Sequence, residues 1–153
     1  MTDLYLKIII RLILCAVILV YFFKVMRPFE GKRRKWLARY WSRSCTGSEW
    51  RRVFPGESKD SIRSFLECFV DGFAFSSRKI FNFSPNDKIM DIYNSLYPAK
   101  GWPDALELET FAINLEREYS LNLAGALTDE LTLGQLFLMA IKENPNQKLH
   151  ADG

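Results

Sequence analysis

Four glutamates crowd one short stretch of this 153-residue chain: Glu107, Glu109, Glu116 and Glu118, within DALELETFAINLEREY at positions 104–119. Paired carboxylates can do general acid–base work, but only where a desolvating pocket separates their pKa values and their geometry converges on a substrate. Strung along one amphipathic helix, they make a solvated acidic face instead. The only histidine, His150, lies in a polar tail, so no serine or cysteine has a base to activate it. Cys15, Cys45 and Cys68 fall in an apolar run, a basic stretch and a predicted helix, spacings that build neither a disulfide framework nor a zinc site. The sequence contains no phosphate loop, dinucleotide fingerprint or metal-ligand cluster. The expectation is three reduced thiols and no enzyme, cofactor or metal.

The same stretch carries a second kind of chemistry, that of recognition. Leu106 and Ile113 are seven residues apart, two helical turns, and so share a face offset from the stripe of Leu108, Phe111 and Leu115. Asp104, Glu107, Glu109 and Glu116 surround them. One reading is a docking surface made of Asp104, Leu106, Glu107, Glu109, Ile113 and Glu116. The other is that Leu106 and Ile113 pack beneath the aromatic loop that precedes the helix. The sequence leaves both open.

The elements that would position this face are helical. Ser58 or Asp60 can cap a helix whose apolar positions, Ile62, Phe65, Leu66, Phe69, Val70 and Phe73, follow the i, i+3, i+4 rule without gaps. A long loop follows, carrying Phe81, Phe83, Ile89, Ile92, Tyr93, Leu96 and Tyr97 and punctuated by Pro85, Pro98, Gly101 and Pro103. It is too apolar for a free linker and is expected to pack across the helices, with a short helical turn of its own. A second helix starts at Asp104 and shows Leu108, Phe111, Ala112, Leu115 and Tyr119 on one side. A short turn comes near residues 124–127, and a last helix runs from Thr132 through Leu133, Leu136, Phe137, Ala140 and Ile141 to Asn144-Pro145. The fold class is therefore all-α: three main helices plus a short one over residues 58–144, with a frayed tail at 145–153.

Charge divides the chain. Residues 1–56 hold 12 basic and 3 acidic side chains, net +9, while the remainder is net −6. Within the basic half, residues 8–26 are apolar and of the length a transmembrane helix needs, with Arg11 near one end and residues 1–7 as a flank. The sequence after it, Lys24-Val25-Met26-Arg27-Pro28, lacks a small-x-small cleavage signature. A retained anchor is the expectation; the alternative is that Met26 is the true start. Basic residues crowd the C-terminal side, so the positive-inside rule puts the following domain in the cytoplasm and the chain in the bacterial inner membrane. Residues 27–57 read as a basic juxtamembrane segment and linker. Within them Arg33, Arg34, Lys35, Trp36, Arg39, Tyr40, Trp41 and Arg43 form an amphipathic segment expected to lie on an anionic membrane surface. Nucleic acid is the lesser alternative for such a basic–aromatic stretch.

Over about residues 58–142 the order of elements resembles the acyl carrier protein superfamily. The resemblance is strongest in DALELETFAINLEREYSLNL followed by DELTLGQLF. Leu115, Glu116, Glu118 and Tyr119 are similar to the Leu-Glu-x-Glu-Phe ending of the carrier's second helix, and Thr132 to Phe137 to the start of its last. In that family an Asp-Ser-Leu opens the second helix, and the serine hydroxyl holds the phosphopantetheine arm. Here the triplet is Asp104-Ala105-Leu106, similar to an uncharacterised enterobacterial branch lacking the serine. Ala105 has no nucleophilic oxygen, so the resemblance carries over the frame and not the cofactor. The aromatic loop is also longer than usual, and an anchor is foreign to ordinary carriers.

Together these observations predict a membrane-anchored, serine-less carrier-like domain that docks or scaffolds a protein partner through its acidic second helix. The alternative is a genuine acyl or peptidyl carrier using another serine, from among Ser61, Ser76, Ser77, Ser84 and Ser95. A third class is a membrane structural factor with the domain as a passive head.

Overall fold

The computed structural model describes residues 5, 11–21, 35–97 and 106–143. The packed elements are helices α1 (35–41), α2 (Gly47–Val53), α3 (Lys59–Gly72), a 3-10 segment (Ser77–Asn82), and helices α4 (Ile89–Leu96), α5 (Leu106–Tyr119), α6 (Leu123–Ala126) and α7 (Leu133–Glu143). Residues 11–21 are also helical. Among the described residues there is no strand, only an isolated bridge between Lys88 and Thr132, so the all-α class holds.

Helix α3 is the spine. Ser58 caps it, its Oγ accepting from the Ser61 N–H at 2.9 Å, and all six residues of the expected stripe are buried. A Cβ placed on Gly72 would sit 2.6 Å from the Phe111 Cα, so α3 and α5 cross at near-backbone contact. That close approach lets Phe69 meet Phe111 edge-on at 5.3 Å. Helix α5 contributes Phe111, Leu115 and Tyr119 to the core, and α7 contributes Leu133, Leu136, Phe137 and Ala140. The α7 start is a capping box: the Gln135 N–H donates to Thr132 Oγ1 at 3.2 Å, and Gln135 Oε1 accepts from the Thr132 N–H at 3.0 Å.

The loop between α3 and α5 packs across the helices, burying Phe83, Ile89, Ile92 and Leu96. Backbone bonds pin it to α7: the Gly134 N–H donates to the Pro85 carbonyl at 2.8 Å, and the Leu133 N–H to the Asp87 carbonyl at 2.9 Å. The short turn expected near 124–127 is α6. Asp104 and Ala105, expected to open the second helix, lie outside the described residues, as do the tail and the early flank apart from Tyr5.

Three expectations need correction. The first is the domain boundary. Residues 47–56, expected as the linker, are part of the packed unit: α2 places Trp50 at 0% exposure, and Leu37, Tyr40 and Phe54 also enter the core. Trp50 packs against Phe65 and Phe137, at 6.2 and 5.7 Å between ring centres. Its Nε1 donates to the Phe83 carbonyl at 2.8 Å, the polar partner that a buried indole requires. Thr46 Oγ1 reaches the Phe81 and Phe83 carbonyls at 2.9 and 2.7 Å, and Asn82 Nδ2 donates to the Tyr40 carbonyl at 2.9 Å. Among the described residues, the packed unit includes side chains from Leu37 onward and not only those from 58.

The second correction concerns the basic amphipathic segment. Its apolar side faces this protein's own core: Leu37 and Tyr40 are buried, and Trp41 stands edge-on to Phe75 and Phe83 at 5.2 and 5.7 Å. Arg39 lies over the Tyr40 ring at 4.7 Å, and Arg43 pairs with Asp87 at 2.6 Å. Of the described residues in that segment, Trp36 is the large apolar side chain left exposed, beside the exposed Lys35. Arg33 and Arg34 lie outside the described residues.

The third correction concerns the membrane span. Among the described residues no helix is long and apolar enough to cross a membrane. Of the stretch 8–26, residues 11–21 are described as helical. Positions 8–10 and 22–26 lie outside the described residues. With no such helix among the described residues, the single-pass inner-membrane placement is not supported.

Candidate functional site: the outer face of helix α5

At 3.6 residues per turn, α5 turns two faces in opposite directions. Inward go Phe111, Leu115 and Tyr119; outward go Leu106 and Ile113, exposed by 59% and 63%. The choice that the sequence left open is thereby made. The aromatic loop does not cover these two side chains.

The acidic rim is smaller than the spacing suggested. Glu109 and Glu116 are exposed and lie on the flank of the Leu106–Ile113 face. Glu107 is half-buried on the far side of the helix, where its carboxylate accepts from the Tyr97 hydroxyl, so it braces α5 against the end of α4. Glu118 is paired with Arg117 at 3.0 Å. Asp104, the remaining member of the expected docking set, lies outside the described residues. Two exposed residues that sequence reasoning passed over share the outward face: Thr110 and Arg117. The helical wheel already places both between the flanking positions, one turn from Leu106 or Ile113, and that signal was available without coordinates.

The inward side of α5 carries polar groups too. Asn114 is buried and donates to Asp71 on α3 at 3.3 Å. Cys68 on α3 is buried near Glu118; burial, with the Glu118 charge added, pushes its thiol up to about 12. A thiol held neutral in this way is a poor nucleophile at physiological pH. Burial likewise raises Tyr119. Among the described residues, no group of three or more histidine, cysteine or carboxylate side chains could hold a metal ion.

The serines named as other attachment points are scattered. Ser84 is buried and donates to Glu49 Oε2 at 2.7 Å, and Ser95 is buried and donates to the Asp91 carbonyl at 2.7 Å. Ser61 lies in the first turn of α3, while Ser76 caps the 3-10 segment, accepting from the Arg78 N–H, and Ser77 is its first residue. None stands on the outward face of α5. Compared with known proteins, the chain matches no family model, no curated protein and no solved structure.

Proposed function

We propose that this domain is a carrier-like docking module without the carrier's chemistry: it binds a protein partner through the outward face of α5 and carries no pantetheine arm. The observation that carries this is the exposure of Leu106 and Ile113 on a helix whose other large apolar residues are buried or, at Leu108, partly buried. Two aliphatic side chains left in water beside Glu109 and Glu116 suit a partner that offers an apolar recess with a basic rim. In such an interface the recess supplies most of the affinity, and the charges mainly set association rate and salt dependence. The order of α3, long loop, α5, α6 and α7 supports the carrier-like reading, and Ala105 removes the hydroxyl a phosphodiester needs.

The test is the double change Leu106→Ser with Ile113→Ser. Because both are exposed, thermal stability should move by less than ~0.5 kcal/mol, while capture of the wild-type partner set should be lost. Charge reversal at Glu109 and Glu116 should slow association and flatten its salt dependence. A folded double variant that still captures the same partners with equal strength would remove α5 as the docking face. Intact-mass analysis after incubation with a phosphopantetheinyl transferase and coenzyme A tests the second half: no mass should be gained.

A further inference from the structure

Three cations line one open cavity. Arg51 on α2 and Lys59 and Arg63 on α3 line a space of about 360 Å³, whose floor is Ile62 and the Phe81 ring. Cys45 stands at its edge. Among the described residues no carboxylate lines it; the acidic residues nearest in sequence to Lys59, Glu57 and Asp60, are not part of the wall.

Surface cations are ordinarily placed to relieve one another, and these are not. Lys59 and Arg63 are four residues apart on α3, so they stand one above the other, a like-charge arrangement that weakens a helix. Lys59 also occupies the first helical position, where the peptide dipoles add to the same positive field. Arg51 reaches the same space from a different helix. Among the described residues none of the three takes part in an ion pair. Arg63 lies over the Phe81 ring, its guanidinium carbon 5.8 Å from the ring centre, so an arginine and an aromatic plane are held together at one wall. A concave space with an apolar floor and a few convergent charged groups is the usual form of a small-molecule site, and guanidinium groups match phosphate oxygens in geometry as well as charge.

We infer that this cavity binds a phosphate monoester carrying a small apolar substituent, the dianion facing Arg51, Lys59 and Arg63 and the substituent resting on Ile62 and Phe81. The site is independent of the α5 face, and neither proposal needs the other.

Cys45 serves as a built-in reporter. In the 153-residue chain with Cys15→Ser, Cys45 is the exposed thiol and Cys68 is buried. Phenyl phosphate should slow alkylation of Cys45 by the neutral reagent iodoacetamide in a saturable manner, and calorimetry should give the same midpoint. Inorganic phosphate supplies the charge without the substituent and should bind more weakly; phenol, the substituent without the charge, should not protect. Changing Arg51 and Arg63 together to Gln should weaken phenyl phosphate about tenfold or more, ~1.4 kcal/mol by the binding relation, with an unchanged melting temperature because both positions are exposed. The proposal is overturned if neither protection nor heat saturates by about 10 mM, where a millimolar site is largely filled. It is equally overturned if the double variant binds as tightly as the parent, or if inorganic phosphate or phenol matches phenyl phosphate.

Discussion

Residues 35–57 and residues 106–143 both bury large apolar side chains, yet they advertise it differently. In α5 and α7 the buried residues recur at helical spacing, so each one is supported by its neighbours along the chain. In α2 the helix has seven residues and one buried member, Trp50. That indole fills by volume what a stripe would, and it is held by its own bond to the Phe83 carbonyl and by those of the neighbouring Thr46 to Phe81 and Phe83, all more than thirty positions away. The lesson is that a short segment rich in Gly, Ser and Arg can belong to a core through one aromatic anchor and a few backbone-directed bonds.

The sharpest way to break this comparison is to remove the anchor. Trp50→Ala should cost ~3–5 kcal/mol, as much as Phe69→Ala in the middle of α3, because both empty a fully buried aromatic site. A domain has ~5–15 kcal/mol to lose, so either variant should melt far earlier. If residues 35–57 were merely a linker, Trp50→Ala would leave urea and thermal unfolding unchanged while Phe69→Ala would not.

A smaller loss should come from closing the gap between α3 and α5. Gly72→Ala puts a methyl group 2.6 Å from the Phe111 Cα, a position where backbone must move, and overpacking of this kind costs ~1–3 kcal/mol. Chemical denaturation of the variant measures it. No change in the midpoint would mean that the two helices do not cross so closely.

Alkaline pH probes both regions at once. Cys68 rises from 9.0 to about 12 in the folded chain, because burial and Glu118 oppose its thiolate. The unfolded chain gives up that proton first, so unfolding releases it. Stability is then full below pH 9 and falls as pH climbs from there towards 12. Tyr119 beside it and Tyr40 in the α1 region, both raised chiefly by burial, add losses of the same sign above pH 10. Melting curves against pH should show Cys68→Ala flattening the early part of this decline and Tyr40→Phe the later part. A decline of the same slope in Cys68→Ala would detach it from the α3–α5 seam.

The least effect should be a gain. Ala74 follows α3 with a φ of 52°, a left-handed conformation in which the Phe75 N–H closes onto the Val70 carbonyl at 2.8 Å. Glycine adopts that backbone without a Cβ penalty, so Ala74→Gly should stabilise by roughly 0.5–1 kcal/mol. A lower melting temperature would contradict the assigned cap.

The part of the chain from α3 onward was legible where physics is local. The stripe from Ile62 to Phe73, the capped starts at Ser58 and Thr132 and the two-faced pattern of α5 depend on residues within a turn or two of one another. The 3-10 segment and α4 were only partly legible, since aromatic residues between prolines do not state a period. Residues 40–50 were illegible as core because their partners, Asn82, Phe83, Ser84 and Asp87, lie far along the chain. The apolar run at 8–26 suggested a membrane span by hydropathy, and among the described residues no helix is long and apolar enough to be one.

By itself the sequence determined the chemistry that a residue type carries or lacks: Ala105 has no hydroxyl whatever surrounds it, and His150 is the only imidazole. It also determined the helical class, because periodic burial is written in nearest neighbours. Only the tertiary structure decided that Leu106 and Ile113 face water, that Glu107 turns back to Tyr97, and that Arg51 joins Lys59 and Arg63 around one cavity. Each of those outcomes depends on which distant helix packs against which face, a free energy shared among contacts that no local stretch of chain contains.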